Sequence, residues 1–370
     1  MRTLLVAVLF LAPAAVFAAD GGTGGQTFLS AMNPGISANG LFLAGAELDD
    51  GVFAKPSWTG ESASMPGKGQ TFGTGISVQE MEVQLTAAVD PYFKANMVLA
   101  IPGTSGLELE EGVVTVTSIP RMQVNIGKIK EPFGRENVTH THALLTIDRA
   151  LISQRVFGEE GLNDVGVNVQ YMLPLPWYSQ LTLGADAGQN DRVLGSGDPG
   201  GFGYLAHWKN LLDISDNYSA EIGVSGLTGL DDIGGRSLVG GIDLTIKGHG
   251  AGRHQWNRLI WQNEFILADK GGSNPDRTTD DKQIGGLYST LEYSLTREFW
   301  LGGRFDMVGL PAPVDGGQTF GGTAIAVIAP TEFSSFRVQA QRQFLPGGHT
   351  ADSLTGQLSF VIGVHPAHSY

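Results

Sequence analysis

The chain has no cysteine among its 370 residues, so neither disulfides nor thiolate chemistry can contribute. Bases are scarce as well: 23 Lys+Arg stand against 37 Asp+Glu, a formal charge of −14. That deficit argues against nucleic acid as a partner, because phosphates need basic surface to neutralise them. Past the first segment, no apolar run reaches the roughly 20 residues that a membrane-spanning helix needs. A helical membrane protein is therefore excluded. Signatures of a nucleophile elbow, a metalloprotease helix or a phosphate-cradling loop are also missing, so no enzyme and no cofactor is expected.

What is present begins with an export address. Arg2 supplies a positive start, Leu4 to Phe10 an apolar core, and Val16-Phe17-Ala18 a small-residue cleavage site. Residues 1–18 are expected to be removed, leaving one domain over 19–370. Glycine is abundant at 53 residues, and mean hydropathy is near zero at +0.01, as suits strands with one face to lipid and one to water.

The deciding pattern is alternation. In a strand successive side chains point to opposite faces, so apolar residues at every second position mark one apolar face. Phe93, Ala95, Met97, Leu99 and Ile101 oppose Lys94 and Asn96, and Leu259, Trp261, Phe265 and Leu267 oppose Arg258, Gln262 and Glu264. A helix would space them by three and four. Segments of this kind, from 36–47 to 354–364, number roughly sixteen, an even count as single-chain bacterial barrels require. Short turns such as Asp90-Pro91, Ile119-Pro120 and Arg297-Glu298 alternate with longer polar loops such as 48–73, 269–282 and 345–353. Aromatic residues, among them Tyr92, Trp177, Trp256, Phe299, Trp300 and Phe333, gather beside the short turns, as an interfacial girdle does. These features predict an all-β, transmembrane antiparallel barrel of about 16 strands in the outer membrane of a Gram-negative bacterium.

One connection breaks the rule. Residues 130–163 form a long loop after the fifth strand, with a helix-like stretch from Ala143 to Val156, and are expected to fold inward and narrow the lumen. The run Gly127-Lys128-Ile129-Lys130-Glu131-Pro132-Phe133-Gly134-Arg135-Glu136-Asn137 resembles the motif that follows a strand in the phosphate-selective porin O and P family. Ile147-Asp148-Arg149-Ala150-Leu151, followed by Gly158 to Asp164, is similar to that family's constriction loop. The ending from Phe360 to Tyr370 resembles a related porin-like group often labelled zinc-regulated outer-membrane receptors. The resemblance implies sixteen strands, an inward loop, passive diffusion and a homotrimer, with outer-membrane lipid, lipopolysaccharide and the barrel-assembly machinery as partners. The acidic balance departs from the basic ladder of phosphate channels.

Candidate constriction residues are Lys128, Lys130, Arg135, Glu136, His140, His142, Asp148, Arg149, Arg155, Glu159 and Glu160. Their charges could select solutes or pair with one another and hold the loop, and the two readings carry equal weight. If they select, replacing Arg149 or Arg155 with Ala alters ion preference. Strand parity places Gln123, Asn125, Arg258, Gln262, Glu264, Glu292, Arg304, Asp306, Arg337, Gln339 and Gln341 on the lumen face. His140 with His142, and His365 with His368, each offer two imidazoles, short of a zinc site's usual four ligands; solvated histidine is the favoured reading of both pairs. Asp276, Asp280 and Asp281 could bind calcium, although a solvated acidic loop is the simpler reading. The alternatives to a pore are a zinc-linked receptor or transporter, and a sleeve around a periplasmic partner protein.

Overall fold

A computed structural model describes residues 34–53, 72–103, 106–190, 192–194, 201–230, 234–250, 256–271, 283–311, 313 and 316–363. The export segment, His365, His368, Tyr370, Asp276, Asp280 and Asp281 lie outside the described residues.

All strands belong to one antiparallel sheet, and apart from a two-residue piece at Val52–Phe53 they form a closed barrel of sixteen. In chain order these are β1 Gly35–Asp49, β2 Gly75–Ala88, β3 Phe93–Pro102, β4 Glu108–Val116, β5 Met122–Lys130, β6 Asn163–Met172, β7 Tyr178–Asp186 and β8 Gly203–Ser215. The second half comprises β9 Tyr218–Leu230, β10 Arg236–His249, β11 Arg258–Asp269, β12 Gln283–Ser294, β13 Phe299–Leu310, β14 Thr319–Thr331, β15 Ser334–Phe344 and β16 Thr350–Gly363. Each strand pairs with its chain neighbours. The ring closes where β1 pairs with β16, Ser37 opposite Gly363 through Asp49 opposite Ala351. Closure leaves no edge, so every strand has a partner on both sides, as a bilayer demands.

The alternation in sequence becomes alternation of burial. Along β10, Leu238 and Ile242 are exposed on the outer face, whereas Ser237, Val239, Asp243 and Thr245 are buried inside. Exposed Trp177, Tyr218, Trp256, Phe333 and Phe336 cluster at the short-turn end. Trp300 is a correction to the girdle. It stands opposite Ser294 and Val327, both buried, so its register turns it inward.

Two further differences from the expected pattern have local causes. The helix-like stretch from Ala143 to Val156 resolves into a 3-10 turn, Thr141–Ala143, and a short helix α1, Leu151–Phe157. The intervening residues are not helical, because Leu144, Ile147 and Asp148 donate and accept toward the barrel wall rather than along a helix. Among the β-bulges, two interrupt parity on the wall beside the loop. Between β1 and β2, Leu41 faces Glu80 and Phe42 faces Val78, so Gln79 is the extra residue. Between β3 and β4, Val98 faces Glu111 and Leu99 faces Leu109, so Glu110 is extra. A bulge re-aims a side chain. Here Gln79 and Glu110 are added to the inward sets that already hold Glu80 and Glu111.

Candidate functional site

The site is the loop 131–162 and the wall it touches. It leaves β5 at the long-loop end and folds into the barrel, and the motif after β5 shows why. Pro132 follows a buried Glu131, and Phe133 is fully buried, edge-on to Phe157 with centroids 5.0 Å apart. Gly134 has φ +61, and a Cβ there would overlap the Glu264 carboxylate, so only glycine allows this approach to β11. Asn137 donates to the carbonyls of Glu131 (2.7 Å) and Leu162 (2.8 Å) and accepts from Leu162 N–H (2.7 Å). One amide thus closes the neck of the loop.

The interior of the loop is held the same way. All three nitrogens of the Arg149 guanidinium donate to loop carbonyls: Nε to Glu159 (3.1 Å), Nη1 to Glu136 (3.0 Å) and Nη2 to Thr139 (2.9 Å). Glu136 Oε1 accepts Ala150 N–H at 3.0 Å, and Asp306 Oδ1 accepts Leu151 N–H at 3.0 Å. Two carboxylates therefore meet the start of α1, where free N–H groups favour negative charge. The apolar side of α1 is buried. Leu151, Ile152, Val156 and Phe157 form one cluster with inward wall residues including Leu205, Val239, Ile266, Ile284 and Val308.

The outer half of the interior is thus a hydrophobic core over much of its section. A lumen-facing side chain read from alternation alone is expected to be polar; these are apolar because the loop covers them.

A charged clamp sits beside this core. Arg304 Nη2 reaches Asp148 Oδ2 at 2.9 Å, Arg304 Nε reaches Asp306 Oδ2 at 2.7 Å, and Arg304 also donates to the Asp148 carbonyl and to Thr146. Gln339 Nε2 donates to Asp148 Oδ1 (2.6 Å), Gln341 Nε2 to Asp148 Oδ2 (3.1 Å), and Ile147 N–H to Gln339 Oε1 (2.8 Å). Gln79, the bulge residue, donates to the Ile147 carbonyl at 3.1 Å. Buried charges need such complete pairing, and Arg304 is 3 % exposed.

Further round the wall, on β2 and β4, the two loop imidazoles meet carboxylates. His140 Nδ1 lies 3.4 Å from Glu110 Oε2 and 3.7 Å from Glu82 Oε2, and His142 Nδ1 lies 3.3 Å from Glu82 Oε2. The other His140 nitrogen, Nε2, faces Glu111 Oε2 at 3.5 Å. Lys130 Nζ holds the second oxygen of Glu110 at 2.6 Å.

The eleven wall residues picked by parity all lie on the inward face, yet most touch something other than open water. Glu264 accepts from Tyr288 Oη at 3.0 Å, Gln262 donates to the same hydroxyl at 2.6 Å, and Arg337 donates to the carbonyls of Leu144 and His142. Asn125 donates to Asn168, and Gln123 stands opposite Gln170. Arg258 and Glu292 border a cavity of about 730 Å³ at the short-turn end, together with Lys247, Asp213, Arg337 and Leu144. Arg135 faces Glu221 at 3.8 Å. Glu159 and Glu160 are exposed, and Arg155 is half-buried on α1.

Lys128 is a correction. It stands opposite Gly112 and the exposed Val165, which places it on the outward face and away from the loop's interior. Glu82, Glu110 and Glu111 were not anticipated. The cue was there: Glu108-Leu109-Glu110-Glu111-Gly112 breaks alternation, and a broken alternation beside glycine marks a bulge.

No family model matches the chain. An uncharacterised protein of Aquifex aeolicus (strain VF5) is 27% identical over 338 residues, covering 80% of this chain and 70% of that one. Among solved structures, an anion-selective porin from Comamonas acidovorans superposes with a TM-score of 0.60 at 11% identity, covering 89% of this chain and 100% of that one. OprB of Pseudomonas putida gives 0.62 at 10% identity, covering 92% and 96% respectively. The outer-membrane channel DcaP of Acinetobacter baumannii gives 0.57 at 10% identity, covering 89% and 98%. At these identities the likeness is one of architecture, and this chain has the barrel fold of the outer-membrane porins.

Proposed function

We propose that this protein is an outer-membrane channel for passive diffusion of small hydrophilic solutes or ions, and that loop 131–162 narrows its path. The observation that carries the reading is a long loop folded into a closed barrel and tethered to several of its strands, above a vestibule of about 730 Å³. The apolar outward face would sit in the lipid and lipopolysaccharide of the outer membrane. Trimer formation, and delivery by the barrel-assembly machinery, belong to the same proposal.

Charges of both signs border the vestibule, Lys247, Arg258 and Arg337 against Asp213 and Glu292, which favours modest selectivity. A phosphate-selective channel would call for a ladder of cations, and this mixed lining gives that narrower reading little support. The buried loop and core also speak against a sleeve threaded by a partner protein.

The test is conductance of the refolded protein in a planar bilayer under a salt gradient. Discrete steps are expected, and Lys247→Glu combined with Arg258→Glu should move the reversal potential toward cation preference. Correctly folded protein without steps would overturn the channel reading. Steps with an unmoved potential would take the vestibule off the ion path.

A further inference from the structure

Among the described residues, one group of side chains converges in the way a metal ion would require: Glu82, Glu110 and His140, whose ligand atoms all lie within 4.8 Å of one another. His142 Nδ1 joins them through Glu82. We propose that Glu82 Oε2, Glu110 Oε2 and His140 Nδ1 hold a zinc-class divalent cation that ties the folded-in loop to the wall, and that His142 Nδ1, which in this group faces Glu82 alone, turns in to complete a tetrahedral shell.

Distance is the first argument. A charge-assisted N–H to carboxylate bond closes to about 2.7–2.9 Å. The three N to O separations here are 3.3, 3.4 and 3.7 Å. Those are too long for such bonds. Bonds of about 2.0–2.2 Å to a tetrahedral ion put ligand atoms roughly 3.3–3.6 Å apart, close to these separations.

Satisfaction is the second argument. Glu82 is 2 % exposed and Glu110 6 % exposed, and neither Glu82 Oε2, Glu110 Oε2 nor His140 Nδ1 makes a hydrogen bond of ordinary geometry. Buried polar atoms are nearly always satisfied, so three that point at one another call for a shared partner. That partner is a cation, because Glu80, Glu82 and Glu110 are all buried on this wall and Lys130 already serves the other oxygen of Glu110. Two imidazoles with two carboxylates and no thiolate suit zinc and its neighbours better than magnesium or calcium, which take oxygen ligands.

Support around the ligands is the third argument. Metal-bound histidine usually donates its other ring N–H to a carboxylate. His140 Nε2 faces Glu111 at 3.5 Å, and Asn96 Nδ2 in turn donates to that same Glu111 oxygen at 3.1 Å. The rings of His140 and His142 lie nearly parallel, 19° apart, with centroids 5.7 Å apart, an arrangement that two imidazolium cations would resist. His140 also borders the small cavity beneath the loop and His142 the vestibule, which gives an ion a route in.

The fold explains why these groups meet. The bulge at Glu110 turns two consecutive acids inward on β4, β2 supplies Glu82, and the neck closed by Asn137 holds His140 and His142 against both. The ion would tether the loop to β2 and β4, beside the Arg304–Asp148 clamp.

The experiment uses the full refolded chain, stripped with chelator and titrated with zinc by calorimetry and with cobalt(II) by visible absorption. One equivalent of zinc and the intense bands of tetrahedral cobalt are expected. Glu111→Gln should weaken binding by about 10–100-fold, His140→Ala by more than that, and His349→Gln, an exposed imidazole elsewhere, should change nothing. No saturable zinc binding, a weak octahedral cobalt spectrum, or unchanged affinity in His140→Ala would each overturn the proposal. If His140→Ala loses its heat-modifiable folded band, the wild-type cobalt spectrum and Glu111→Gln decide alone.

Discussion

Asp148 is the point at which the loop is most exposed to a single change. Its side chain receives Arg304, Gln339 and Gln341, and its carbonyl receives Arg304 again. Asp148→Ala would leave buried Arg304 with Asp306 as its one carboxylate, and would strand the Gln339 amide. Removing one partner of a buried ion pair costs about 3–5 kcal/mol, because the surviving charge keeps its desolvation penalty. Since these bonds join loop to wall, the cost falls on docking of the loop rather than on the barrel. At 1.36 kcal/mol per tenfold, the released population should rise roughly 10²- to 10⁴-fold.

Single-channel recording should then show excursions to a larger conductance that the wild type lacks. Limited trypsin digestion should cut at Arg149 or Arg155 while the barrel stays heat-modifiable. Asp148→Asn combined with Arg304→Gln and Asp306→Asn removes all three charges of the clamp and should restore much of the docked state. Asp148→Ala with wild-type conductance and wild-type protease resistance would refute the reasoning, and would mean that the apolar cluster around α1 holds the loop unaided.

Arg149→Ala should loosen the loop, measurable as faster proteolysis, and leave the reversal potential where it is, because its guanidinium serves three loop carbonyls and faces no path. A shift in ion preference would restore it as a selecting charge. Glu131, fully buried, has its pKa raised to about 8 by burial and by the charges of Asp186 and Asp164. The native state therefore holds a proton that the unfolded state releases near 4.5, so stability from this group is full below that pH and declines as pH rises through about 8. Glu131→Gln should flatten urea-unfolding midpoints across that window by up to roughly 4 kcal/mol, and an unchanged slope would place the proton elsewhere.

The strands were legible because a strand's message is local. Apolar residues at every second position state both the element and its lipid face, and neighbouring strands joined by short turns leave little choice of partner. Segments read as 75–89 and 334–344 appear as Gly75–Ala88 and Ser334–Phe344. The last strand starts earlier than the expected 354, at Thr350, because Asp352 and Ala351 pair with Arg342 and Gln343 in register although their side chains break the pattern.

The loop was legible as a loop, from its length and its fit to no strand. Its contacts were not. Whether Asp148 selects ions or clamps Arg304 depends on what lies opposite, 156 residues away in the chain. His140 and His142 were visible as a pair, but Glu82 and Glu110 reach them only through a bulge and a closed barrel.

The sequence by itself thus determined the barrel, its strand count and, away from the bulges, which face of a strand is apolar and turned outward, since those follow from side-chain parity. Only the tertiary structure decided that the loop packs an apolar cluster against part of the wall, and which charges meet. Parity sorts side chains between two faces. It carries no record of which residues the curvature of the wall brings together across the interior.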